Sequence, residues 1–127
     1  MPIRIVIVDD HKILRDGVRL RLQLEPDFAI VGEAANAAEA YDCVARTAPD
    51  VVLMDLNLPG VNGIAATARL RETSPGVRIL VLTGEVTAES THDAILAGAH
   101  GFVRKEDASE DLVRAIRVVI GGKTYLS

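Results

Sequence analysis

The sequence predicts an α/β domain, with a parallel sheet of five strands covered by helices on both faces. Short β-branched apolar runs alternate five times with segments of helical period. A repeated strand-then-helix unit brings each strand back parallel to the one before. The length agrees, since 127 residues suit one domain with one sizeable core.

Taken in order, "IRIVIVDD" (3–10) is a short run of the kind that forms a buried parallel strand. Residues 12–24 then set Ile13, Leu14, Gly17, Val18, Arg21 and Leu22 at helical spacing. "FAIVGEA" (28–34) is the second strand. Asn36 with Glu39 three residues on is an N-cap with its capping-box partner, so a helix runs from there to about Thr47. "VVLMDL" (51–56) is the third strand, and "PGVNG" punctuates the loop after it. The next helix covers about Asn62 to Thr73, and "VRILVLT" (77–83) is the fourth strand. A helix from near Thr87 stops at Gly98, and "HGFVRK" (100–105) is the fifth strand. Asp107 with Glu110 repeats the cap signature, and Leu112, Val113, Ile116, Val119 and Ile120 mark the buried stripe of the last helix. Residues 1–121 read as the domain, and 122–127 as the start of a linker.

Composition narrows the function. The net charge is −4, from 14 basic and 18 acidic residues, and phosphate neutralisation needs clustered Lys and Arg. No direct binding of nucleic acid by this domain is expected. Cys43 is the single cysteine, which excludes an internal disulfide or a cysteine-based zinc site and fits a reducing compartment. No apolar run approaches the roughly 20 residues that span a bilayer, and the start does not read as a signal peptide. The expectation is a cytoplasmic protein with no membrane contact.

In open α/β sheets, ligands bind beyond the carboxyl ends of the strands. Here those ends carry Asp9 and Asp10 on the first strand, Asp55 on the third, Thr83 on the fourth and Lys105 on the fifth. Each alone has a structural reading: a helix-start acid, a turn acid, a β-former, a surface charge. Together they converge on one crevice. Three close carboxylates repel unless a cation is present, and Mg²⁺, with one or two carboxylates and several waters, suits them. Such a cation, an ammonium and a hydroxyl neutralise a phosphoryl group, and a carboxylate among them can be its acceptor.

"VDD", "MDLNLPGVNG", "LT" and "GAHGFVRK", in that order and spacing, resemble the receiver domain of two-component response regulators over essentially the whole chain. His11, the third-strand motif and "GGKTYLS" are similar to the NarL/FixJ (LuxR-type) group. The resemblance implies a flavodoxin-like sheet of order 2-1-3-4-5. It implies Asp55 as phosphoacceptor, with Mg²⁺ on Asp10, Asp55 and the backbone carbonyl of Asn57, and Asp9 acting through a water. It implies Lys105 pairing with phosphoryl oxygens, and Thr83 and Phe102 moving together as a switch. Its implied partners are a sensor histidine kinase as phosphohistidine donor and a second copy on phosphorylation. DNA would be reached through a helix-turn-helix domain after residue 127. The implied role is a signalling switch rather than an enzyme, catalysing its own phosphorylation and dephosphorylation and governing transcription. Glu85, two residues after Thr83, borders the implied site.

Two other classes compete. A phosphatase with an aspartyl-phosphate intermediate needs a second acid two residues after its nucleophile, where this chain has Asn57. A phosphate-independent interaction module leaves the full residue set unexplained. No GxxxxGK[ST] or GxGxxG supports nucleotide binding. His11 reads as a partly exposed residue at a helix start before it reads as a ligand. Arg15, Arg19, Arg21, Arg114 and Arg117 read as solvated helix faces before a partner surface. Pro59-Gly60 is expected to turn the chain away and leave Asp55 open to a partner.

Overall fold

The computed structural model describes residues 1–84 and 87–126, so Glu85 lies outside the described residues. The strands are β1 (Ile3–Val8), β2 (Phe28–Ala34), β3 (Val51–Met54), β4 (Arg78–Thr83), β5 (Gly101–Arg104) and β6 (Tyr125–Leu126). The helices are α1 (Lys12–Gln23), α2 (Ala37–Thr47), α3 (Gly63–Thr73), α4 (Ala88–Leu96) and α5 (Ala108–Ile120). All strand pairs are parallel, in the order β2-β1-β3-β4-β5-β6.

Strand alternation sorts the core into two layers. Ile5, Ile7, Val51, Leu53, Leu80, Leu82 and Val103 face α1 and α5, meeting Val18, Leu22, Leu112, Ile116 and Val119. Val6, Val8, Val52, Met54 and Ile79 face α2 and α3, meeting Ala40, Cys43, Val44, Ala66 and Leu70. A smaller cluster of Leu56, Val81, Ala94 and Phe102 lies under α4. Ala94 is the buried side chain that α4 supplies.

Capping explains most helix starts. The Asn36, Asn62 and Thr87 side chains accept the N–H of Glu39, Ala65 and Ser90. Gly98 has φ +105, the left-handed geometry that ends a helix, and Ala99 N–H closes back on Ala94 O at 3.0 Å. The Asp107–Glu110 signature forms no cap: the Asp107 side chain makes no cap bond and accepts instead from Arg104 Nε at 2.9 Å. A 3₁₀ turn, Lys105–Asp107, occupies the space before α5.

Where the sequence predicts five strands and a linker, the sheet has a sixth. After α5 the chain turns, with Lys123 N–H on Val118 O at 3.2 Å. Tyr125 and Leu126 then pair with Gly101 and Phe102, covering the backbone edge that β5 would otherwise leave bare. The α1 stripe is also narrower than its spacing suggests: Val18 and Leu22 are buried, whereas Ile13 is 88% exposed.

The predicted arginine faces are tied down within the domain. Arg15 and Arg19 pair with Glu33 at 3.1 and 2.8 Å. Arg117 pairs with Glu25 and Asp27 at 3.0 and 2.7 Å and lies 4.7 Å over the Phe28 ring. Arg114 pairs with Asp111 at 3.1 Å, and Arg21 Nε donates to Ser109 O at 3.3 Å.

His100 joins β4 to β6. Its N–H donates to Ile79 O at 2.8 Å, its carbonyl accepts Tyr125 N–H at 3.3 Å, and its Nδ1 accepts Ile79 N–H at 3.0 Å. An accepting Nδ1 requires a neutral ring on that side. Burial, then the charges of Arg71 and Arg78, push its pKa below the ordinary histidine value. The unfolded chain therefore takes up the proton first as pH falls. Its contribution to stability is complete above the ordinary value of 6.5 and is lost as pH falls through the depressed one. Thermal unfolding from about pH 7.5 to about pH 5.5 is expected to show a larger loss for the wild type than for His100→Asn, which keeps an acceptor and does not titrate. Equal slopes would remove His100 from the account.

Candidate functional site

The site grows out of strand register. Beyond β1, Asp9 N–H donates to Ala34 O at 3.0 Å; beyond β3, Asp55 N–H donates to Val8 O at 3.0 Å. Each ladder thus continues one residue past its strand and sets Asp9 and Asp55 side by side. The Arg15 guanidinium donates to Asp9 O at 2.6 Å, fixing that end from α1. Arg104 ends β5 opposite Thr83, so Lys105 is the first residue to leave the sheet there. Its Nζ lies 3.1 Å from Asp9 Oδ2 and 3.3 Å from Asp55 Oδ2.

Asp55 is 1% exposed and Asp9 3% exposed, whereas the Asp10 side chain is 32% exposed. Asn57 N–H donates to Asp55 Oδ1 at 3.1 Å, which ties the following main chain to that carboxylate. Burial raises the Asp55 pKa and the Asp9 charge adds to it, against the pull of the Asn57 N–H and the Lys105 ammonium. Burial alone would lower the Lys105 pKa. The Asp9 hydrogen bond and the charges of Asp55 and Asp9 outweigh it and hold the ammonium above the usual lysine value.

The crevice is less open than the Pro59-Gly60 turn suggests. Both turn residues are exposed and Gly60 has φ +77, so the chain does turn there. Leu56 and Leu58, however, fold back into the core at 7% exposure each. Gly63, at the start of α3, rests directly on the Asp55–Leu56 backbone and donates its N–H to Leu56 O at 2.9 Å. A Cβ there would lie 2.1 Å from Asp55 O and 2.6 Å from Leu56 Cα. These contacts, with Lys105 in front, close Asp55 off from solvent.

Thr83 ends β4 fully buried and lines a hollow of about 230 Å³ with Leu56, Asn57, Asn62, Ile64 and Thr87. Phe102, on β5, is 1% exposed and packs on Leu56, Val81 and Ala94 beneath α4. Asp9, Asp10, Asp55 and Lys105 therefore form one contiguous group, with Asn57 tied to it through its N–H, while Thr83 lines the hollow next to Asn57 and Phe102 packs in the apolar cluster with Leu56.

His11 stands where the sequence puts it, at the start of α1. Its side chain is exposed, yet Nδ1 lies 3.2 Å from both Asp9 Oδ1 and Asp10 Oδ1. Among the described residues, Asp9, Asp10, His11 and Asp55 form a group whose ligand atoms all lie within 4.8 Å of one another. Oxygen-rich and dominated by carboxylates, the set fits a hard divalent cation.

Residues 5–117 match the response regulator receiver domain family. Over 126 residues the chain is 36% identical to the nitrate/nitrite response regulator protein NarL of Escherichia coli K12, covering 99% of this chain and 58% of that protein. A crystal structure of a LuxR-family two-component response regulator from Aurantimonas sp. SI85-9A1 superposes with a TM-score of 0.96 at 41% identity, covering 100% of this chain and 91% of that one. The isolated REC domain of RcsB from Salmonella enterica serovar Typhimurium, in the presence of the phosphomimetic BeF3⁻, gives a TM-score of 0.92 at 25% identity, covering 100% and 94%. The chain spans little more than half the length of the curated relatives it matches. No helix among the described residues is long and apolar enough to cross a membrane.

Two outcomes follow from this geometry. Because the folded state raises the Asp55 pKa, the Asp55 contribution is present below the ordinary 3.8 and lost as pH rises through the raised value. At neutral pH the ionised group therefore opposes folding. In chelator, Asp55→Asn is expected to raise the thermal midpoint at neutral pH, read by calorimetry; a lower midpoint would show that the carboxylate is net stabilising. Gly63→Ala is expected to cost about 1–3 kcal/mol in denaturant unfolding, because backbone atoms cannot give way to the new methyl. A wild-type midpoint would mean that α3 shifts freely.

Proposed function

The chain belongs to the response regulator receiver family, as a receiver domain of the NarL/LuxR type, and from that premise we propose that it is a phosphoacceptor switch charged at Asp55. The observation that carries the reading is the Lys105 ammonium standing between Asp9 and Asp55, at 3.1 and 3.3 Å. A buried carboxylate with a fixed cation at its side is suited to accept a phosphoryl group. The Asp55 oxygen bonds to phosphorus as the phosphorus–nitrogen bond of a kinase phosphohistidine breaks, and the imidazole leaves with its electron pair. Lys105 then exchanges its carboxylate contacts for phosphoryl oxygens and stabilises the charge that builds there.

Receiver domains bind Mg²⁺ through acidic residues, and the donor set here fits that ion. Asp10, Asp55 and the Asn57 carbonyl would hold it directly, and Asp9 through a water. When bound, it supplies charge neutralisation at the phosphoryl oxygens. In-line attack needs Asp55 uncovered, so Lys105 has to move off its Oδ2 as the donor approaches.

The output side follows from burial. Thr83 borders a hollow with Asn57, two residues after Asp55, and in this reading its hydroxyl turns toward the phosphorylated Asp55. Phe102 packs in the small cluster under α4, and in this reading it changes rotamer together with Thr83. The domain thereby catalyses its own phosphorylation and dephosphorylation without acting on a separate substrate. Its partners are a sensor histidine kinase and, once phosphorylated, a second copy of itself. DNA is reached through a separate domain of the longer protein, as befits a transcriptional regulator of the NarL type.

Incubation with Mg²⁺ and acetyl phosphate is expected to add one phosphoryl mass, absent in Asp55→Asn. Lys105→Met is expected to slow the gain by roughly 100-fold. A gain that survives Asp55→Asn, in intact-mass measurement, would refute the assignment.

A further inference from the structure

His11 caps α1 in backbone only. Its main-chain N–H donates to Asp9 Oδ1 at 2.8 Å, and its carbonyl accepts Arg15 N–H at 3.0 Å. An N-cap side chain ordinarily accepts from the amides of the first turn, but the His11 ring makes no such bond. It turns the other way, with Nδ1 3.2 Å from one oxygen of Asp9 and 3.2 Å from one of Asp10.

In that arrangement Nδ1–H donates toward two carboxylate oxygens, and a metal ion exchanged for that hydrogen would meet the nitrogen and both acids. Opposite ligands of an ion held at about 2.1 Å lie about 4.2 Å apart. The donor atoms of Asp9, Asp10, His11 and Asp55 already lie within 4.8 Å of one another, so small side-chain shifts bring the imidazole and the acids onto one ion. Ligand softness then decides which ion uses the nitrogen. Carboxylate, carbonyl and water suit Mg²⁺, whereas imidazole suits nickel, zinc and copper, whose affinities also lie high in the divalent series.

We propose that His11 is a cation-selecting ligand of the acidic pocket: late first-row divalent ions such as Ni²⁺ and Zn²⁺ bind through His11 Nδ1 together with the carboxylates, while Mg²⁺ is held by oxygen alone. This rests on the reading that the pocket holds a divalent cation. The two kinds of ion share Asp10 and Asp55, so they compete. His11 therefore sets how strongly a late transition ion displaces Mg²⁺ from the phosphoryl-accepting site.

The test is calorimetric titration of the chain with Ni²⁺ and, separately, with Mg²⁺, comparing wild type, His11→Ala, Asp10→Asn and Asp55→Asn. His11→Ala is expected to weaken Ni²⁺ by about tenfold or more and to leave Mg²⁺ within about twofold. In a ¹⁵N spectrum, diamagnetic Zn²⁺ is expected to shift the His11 Nδ1 resonance, and Mg²⁺ to leave it in place. If Mg²⁺ binding depends on Asp10 and Asp55 while Ni²⁺ affinity ignores His11→Ala, this inference alone is overturned. An unmoved Nδ1 resonance at saturating Zn²⁺ overturns it as well. If Mg²⁺ binding survives both Asp10→Asn and Asp55→Asn, the cation reading of the pocket falls, and this inference with it.

Discussion

The architecture turns on repulsion between two buried carboxylates. Parallel pairing of β1 with β3 runs to Val8 and Met54, and the Asp55 N–H on Val8 O carries it one residue further, which sets Asp9 and Asp55 side by side. Like charges held that close in a dry setting need a cation, and Lys105 provides one. The ammonium arrives only because β4 and β5 extend the same sheet in register, with Thr83 opposite Arg104 and Lys105 one residue further on. Sheet order, strand length and charge are thus linked: a slip of one residue on β5 would carry the ammonium off the acids and turn Phe102 out of its cluster.

Much of this was written locally in the chain. The apolar runs and capping residues Asn36, Asn62 and Thr87 define elements by short-range chemistry, so those elements were legible. The acids and Lys105 were legible as a group because parallel strands bring their carboxyl ends to one edge. The remainder depended on competition between distant partners. A two-residue β6 has no periodicity to read; it exists because β5 offers an unpaired edge. Asp107 has the sequence of a cap, but Arg104 claims its carboxylate. The burial of Asp55 rests on a hydrogen bond to Val8 and on Gly63 pressing from α3, neither visible in "VVLMDLNLPG" alone.

Rigidity is unevenly distributed around the acids. Asp9 is held by Ala34, Arg15 and the His11 amide, and Asp55 by Val8, Asn57 and Gly63. The Thr83 side instead has open space, a hollow bounded by Asn57, Asn62, Thr87 and Ser90 together with Leu56 and Ile64. A reacting centre benefits from the first property, since misplacement of a charge is costly to transition-state stabilisation. A signal leaving the centre benefits from the second.

The light anchoring of α4 has a thermodynamic consequence. With Ala94 as its buried side chain, this helix gives up little apolar contact when it shifts, whereas displacing α5 would unpack Leu112, Ala115, Ile116 and Val119 together. Local opening free energies follow buried apolar contact. Amide exchange at α4 therefore runs through fluctuations well short of global unfolding, while α5 amides exchange only when the domain opens as a whole. A chemical change beside Thr83 therefore has less buried contact to overcome at α4 than at α5.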